Sequence, residues 1–258
     1  MGELGSLLYV VSTAAFALIA AVVGIRLIAL SVETGQMAER LLGFGLLLTA
    51  GLGYGVMMIA AIGRQMLSDP SAEPAAYAWI YTAGWIFHNI GVMCVIGFVV
   101  QVFRPGAVWA RVLAAVMCVT LWVGWGVHVS QGGMADGLPR GGYWIAMAVI
   151  GTYPFWTAAE SFAYYTRMRK RVALGLGDRL VANRFLLWGL ASLTTAGSIW
   201  VVNIPSLAGE SIGGPGGSRV AESCLLVTGV LGTVTVVMYW LTFFAPAWYR
   251  RQFSRDGA

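Results

Sequence analysis

Charge is scarce in this chain. Only 10% of its 258 residues are Asp, Glu, Lys or Arg, while 59% are hydrophobic. A soluble domain carries about 25% charged residues to clothe its water-facing surface. At a mean hydropathy of +0.76, a soluble globular protein is excluded. Disorder is excluded by the same figures, because disordered chains are poor in apolar residues and rich in charge. Lysine is nearly missing, with Lys170 the one example. Cysteine is sparse as well: Cys94, Cys118 and Cys224 all fall inside apolar runs, where thiols pack as small hydrophobes. No disulfide framework can be drawn from them.

What the chain has instead is apolar length. A helix needs about 20 mostly apolar residues to cross a bilayer. Seven stretches qualify, at roughly 6–30, 41–63, 77–103, 109–131, 142–166, 185–206 and 220–244. The breaks between them carry turn signals such as Ser68-Asp69-Pro70, Arg104-Pro105-Gly106, Gly132-Gly133 and Gly213-Gly214-Pro215-Gly216-Gly217. None is long enough for a second domain. Transmembrane strands would alternate in segments of about ten residues, and these runs are continuous. The expectation is an all-α integral membrane bundle of seven helices, one domain over residues 1–258.

Basic residues set the orientation. Thirteen of the 16 Lys and Arg residues follow the first, third and fifth stretches or lie in the tail. Only Arg64, Arg140 and Arg219 fall on the other side. The positive-inside rule then puts the N-terminus outside and the C-terminus in the cytoplasm. A charge of +5 gathered on one face attracts anionic lipid, so nucleic acid is not needed to explain it. Glu3 and the lack of a basic leader region point to a first helix kept as an anchor. The expected location is the cell membrane, the cytoplasmic (inner) membrane in a bacterium.

Ionisable groups within hydrocarbon are rare and usually functional. Here they are His88, His128 and Glu160, with Glu222 and Arg26 near helix ends. At about 1.5 Å per residue, His88 lies about 16 Å below the outer boundary and His128 only about 5 Å below it. A haem held by two histidines needs both at similar height, so haem is a weak expectation. Catalytic zinc wants three protein ligands, which two histidines at different depths do not supply. Met93-Cys94 and Met117-Cys118 have the softness for Cu(I), yet such residues also fill cores without metal.

The outer half gathers more chemistry. Trp85, His88 and Asn89 lie on the third stretch; Trp122, Trp125 and His128 share a face of the fourth. Trp200 and Asn203 near the end of the sixth, with Glu222 opening the seventh, face the same side. Converging, they would wall a small-ligand pocket with aromatic rings and a few polar groups; apart, they belong to an interfacial belt. Glu160 is a candidate for a proton or ion pathway, with Arg26 as its partner if their helices touch. Arg167, Arg169, Lys170 and Arg171 form the basic end of the longest cytoplasmic loop, suited to anionic headgroups or to a membrane or cytoplasmic protein partner. Asp178 is placed to cap the following helix.

The motifs Phe103-Arg104-Pro105, Leu174-Gly175-Leu176-Gly177-Asp178 with Asn183-Arg184-Phe185, and Phe244-Ala245-Pro246-Ala247-Trp248-Tyr249-Arg250-Arg251 resemble those of bacterial seven-helix membrane proteins of unassigned function. The topology is also similar to that of opsins and seven-helix receptors, and Tyr153-Pro154-Phe155-Trp156 is similar to a microbial rhodopsin motif. Rhodopsins, however, bind retinal through a lysine in the seventh helix, and Lys170 lies in a loop. A retinal Schiff base is excluded. The expected role is small-ligand binding or sensing, or support of a larger membrane complex, without a catalytic constellation. The alternatives are proton- or ion-coupled transport through Glu160, and a haem or metal oxidoreductase on His88 and His128.

Overall fold

The computed structural model describes residues 2–66, 74–133, 139–207 and 218–254. The turn signals at Ser68-Asp69-Pro70 and Gly213–Gly217, and Arg255 of the tail, lie outside them. Among the described residues the regular structure is helical, without strands. Six helical stretches are long and apolar enough to cross a membrane: Leu4–Thr34, Met37–Ala60, Ala78–Phe103, Val108–Ser130, Arg179–Leu207 and Arg219–Phe244. Their exposed surface is itself apolar, with Leu7, Val11, Leu18, Val22 and Ile25 all facing outward on the first of them. Such a patch is an aggregation hazard in water and the natural surface in lipid. The chain is a multi-pass membrane protein.

The stretch expected at 142–166 is also helical, within Gly141–Ala173, but it is not among those six. Tyr143, Trp144, Tyr153, Pro154, Trp156, Glu160, Tyr164 and Tyr165 dilute its apolar content below what length alone would allow.

Local chemistry sets the element ends. Helix α1 (Gly2–Thr34) stops at Gly35, whose φ of 71° is the left-handed conformation that glycine adopts without a Cβ clash. Then follow α2 (Met37–Leu46), a π-helical segment (Leu47–Tyr54) and α3 (Gly55–Met66). Helix α4 (Pro74–Phe103) opens on proline, whose missing N–H has no intrahelical role in the first turn. It ends before Pro105, and α5 (Val108–Ser130) begins after a tight turn. Helix α6 (Gly141–Ala173) ends at Gly175, with Leu176 N–H donating back to Arg171 O at 2.9 Å. Asp178 then caps α7 (Arg179–Leu207), its Oδ1 accepting from Leu180 N at 2.7 Å. Ser218 caps α8 (Arg219–Phe244) by accepting from Ala221 N. Pro246 separates it from the short α9 (Ala247–Ser254).

The chain forms two compact units. One is Phe16–Gly151; the other joins Met1–Ala15 to Thr152–Ala258. In the first, glycines let backbones touch: a Cβ on Gly24 would lie 2.8 Å from Gly43 O. In the second, α7 and α8 form a hairpin tied by Thr194 and Thr235 hydroxyls 2.7 Å apart. Trp188 packs edge-on against Tyr239 and Phe243 in the same hairpin. Buried Tyr249 holds α9 to α7 through a hydrogen bond donated by Asn183 Nδ2. Burial pushes the Tyr249 phenol above its ordinary pKa, with the Asn183 hydrogen bond opposing in part.

Candidate functional site

Within the unit Phe16–Gly151, helix α4 presents candidate residues on two faces. Gly84, His88 and Gly91 recur at spacings of four and three, so they share a face. That face meets the π segment backbone to backbone. A Cβ on Gly53 would lie 2.9 Å from the His88 Cβ, and one on Gly91 would collide with the Thr49 hydroxyl and backbone nitrogen. The close approach brings His88 Nδ1 to 3.3 Å from the Thr49 carbonyl oxygen. A carbonyl only accepts, so the bond assigns the proton to Nδ1 and leaves Nε2 with its lone pair. The Tyr54 ring lies 5.0 Å from the imidazole. A π turn widens the helix and recurs at functional sites; here it aims a carbonyl at a histidine.

The second face holds Trp85 and Asn89, four residues apart, and looks onto α5 and the start of α6. The Trp85 indole is 6.0 Å from the His88 ring, 6.4 Å from His128 and 6.0 Å from Tyr143. Tyr143 also reaches His128 at 5.7 Å. His128 is buried and seated against Gly133 and Gly142, where any Cβ would collide with it. Lower on the same seam, Trp122 Nε1 donates to Met93 Sδ at 2.9 Å, and Trp122 meets Trp125 edge-on at 5.4 Å.

Asn89 is fully enclosed, at 0% exposure, and among the described residues neither its Oδ1 nor its Nδ2 has a hydrogen-bond partner. The enclosed Trp125 Nε1 likewise has none. Buried polar atoms are almost always paired, so each exception asks for an explanation such as a water or a ligand.

The other sequence candidates fall differently. Trp200, Asn203 and Glu222 belong to the unit containing Thr152–Ala258. Asn203 is buried, but its Nδ2 donates to Ile199 O at 2.7 Å within its own helix. Glu222 is half-buried in the first turn of α8, where a carboxylate suits the helix N-terminus. Glu160 is buried on α6, with Trp156 Nε1 donating to its Oε1 at 3.2 Å; Tyr153, Thr157 and Ser161 are buried on the same helix. Arg26 is exposed on α1 in the other unit. Arg167, Arg169, Lys170 and Arg171 are exposed at the end of α6, with the Arg169 guanidinium 5.9 Å above the Tyr165 ring.

The residues that the sequence did not single out are Thr49, Tyr54, Gly91 and Tyr143. Gly91 carried a signal, since it and Gly84 flank His88 at packing distance along the helix. Thr49 and Tyr54 carried none, because their role comes from the π winding.

The described residues contain no group of three or more His, Cys, Asp or Glu able to hold a metal ion. Trp85 stands about equally far from both imidazoles. Compared with known proteins, the chain matches no family model, no curated protein and no solved structure. What the structure supports is the coarser statement, an all-helical chain with several apolar helices.

Proposed function

We propose that this is a seven-span membrane protein that binds a small ligand between α4, α5 and the start of α6. In this reading α6 supplies the remaining crossing. Its 33 residues extend about 50 Å, well over the hydrocarbon thickness of about 30 Å. Its polar side chains Thr157, Glu160 and Ser161 are buried. The N-terminus is outside and the C-terminus cytoplasmic, by the distribution of arginine. The site residues are Trp85, His88, Asn89, Trp125 and His128, joined by Tyr143. The role is sensory or accessory, with the output passed to a partner at the exposed Arg167–Arg171 end of α6.

One observation carries the reading: the enclosed Asn89 amide, with no hydrogen-bond partner at either atom among the described residues. Leaving a buried polar group unmet costs about 1–3 kcal/mol, which a bound ligand recovers. Mass spectrometry of the natively purified protein is expected to find a small molecule held about one per chain, and the Asn89→Leu variant is expected to lose it. A variant that keeps the same molecule removes the site from consideration.

A second reading rests on Glu160, an acid buried in a helix with buried hydroxyls one turn away. If it relays protons or ions, Glu160→Gln abolishes flux in proteoliposomes. Flux indifferent to the change ends that reading.

A further inference from the structure

We propose that the ligand at Asn89 is an uncharged quinol, a flat ring with phenolic oxygens that comes from the bilayer; this rests on the binding role proposed above. The register of the α4–α5 seam places the unmet groups together. Met93 pairs with Trp122 below, and Trp85 pairs with His128 above. The helices run antiparallel, so Asn89 comes level with Trp125 between those two contacts. Two side chains with enclosed, unmet hydrogen-bonding atoms thus occupy one layer.

Their chemistry defines the complement. Indole N–H only donates, whereas the amide both donates and accepts. A phenolic hydroxyl meets all of this: its oxygen has two lone pairs to accept from Trp125 Nε1 and Asn89 Nδ2, and its proton goes to Asn89 Oδ1. A quinone carbonyl satisfies the donors but leaves Asn89 Oδ1 unmet. An uncharged ligand is the better match, because burial of a lone charge is costly. The walls are aromatic, from Trp85, Trp125 and Tyr143, and favour edge-on or offset contact with another ring. Beside the seam, Ile90, Met93 and Val123 are exposed apolar side chains on helices that meet lipid. The ligand therefore reaches the layer sideways from hydrocarbon.

The test is anaerobic titration calorimetry in nanodiscs of quinone-free lipid, using decyl-ubiquinol and decyl-ubiquinone as probes. The wild-type protein is expected to bind the quinol saturably at one per chain, and about tenfold more tightly than the quinone, the worth of one hydrogen bond. Asn89→Leu is expected to abolish that preference. Trp125→Phe deletes a single N–H with little change in shape, and is expected to weaken both forms by about tenfold. Equal, non-saturating uptake by all three proteins overturns the quinol. If another molecule co-purifies with the wild type and is lost from Asn89→Leu, the quinol falls while ligand binding at the site stands. If nothing is retained and Asn89→Leu is more heat-stable than the wild type, the amide held only water or nothing, and both fall.

Discussion

Gly91 and Gly55 make opposite demands on one additional methyl group. At Gly91 a Cβ would collide with Thr49, whereas at Gly55 it would meet open space. Gly91→Ala is therefore expected to destabilise by about 1–3 kcal/mol through overpacking. Gly55→Ala is expected to stabilise by up to about 1 kcal/mol through helix propensity alone. Thermal unfolding of both variants in one detergent checks the pair, and a Gly91→Ala protein as stable as the parent would show that the π contact yields freely. The same contact fixes His88 against the Thr49 carbonyl. That arrangement could not be read from composition. The sequence marked His88 as rare and buried, and its partner is a backbone atom whose exposure depends on how the neighbouring helix is wound.

At the scale of elements, legibility followed the reach of each cause. The apolar runs fixed most spans to within a few residues, because crossing lipid is a property of a single stretch. Runs expected at 6–30 and 109–131 are helices Gly2–Thr34 and Val108–Ser130. The cap at Asp178 was equally legible, being a local hydrogen bond. The π segment was not. Gly51 and Gly55 have the spacing of one packing face, yet Gly51 meets Ala21 of α1 while Gly55 meets nothing, because π winding rotates the two apart. The docking of α9 was hidden for a similar reason: Asn183 and Tyr249 are 66 residues apart. A double-mutant cycle with Asn183→Leu and Tyr249→Phe is expected to show a coupling of about 0.5–1.5 kcal/mol. Strictly additive effects would mean that the hydrogen bond contributes nothing to holding the C-terminal helix.

For the whole molecule, the quantity that organises everything else is the number of crossings. Six helices are apolar enough by themselves. The remaining long helix, α6, buries Tyr153, Thr157, Glu160 and Ser161 while Ile145 and Phe155 stay exposed. A reading of hydropathy alone passes over that division of polar and apolar faces. If α6 crosses as proposed, the positive-inside rule assigns the arginine-rich ends to the cytoplasmic side and Trp85, Asn89 and His128 to the outward half. The direct measurement labels the two chain ends in intact cells with a membrane-impermeant reagent, one tag at a time. Seven crossings predict an N-terminal tag that is labelled from outside and a C-terminal tag that is protected until the membrane is opened. Both tags on one face would contradict the account.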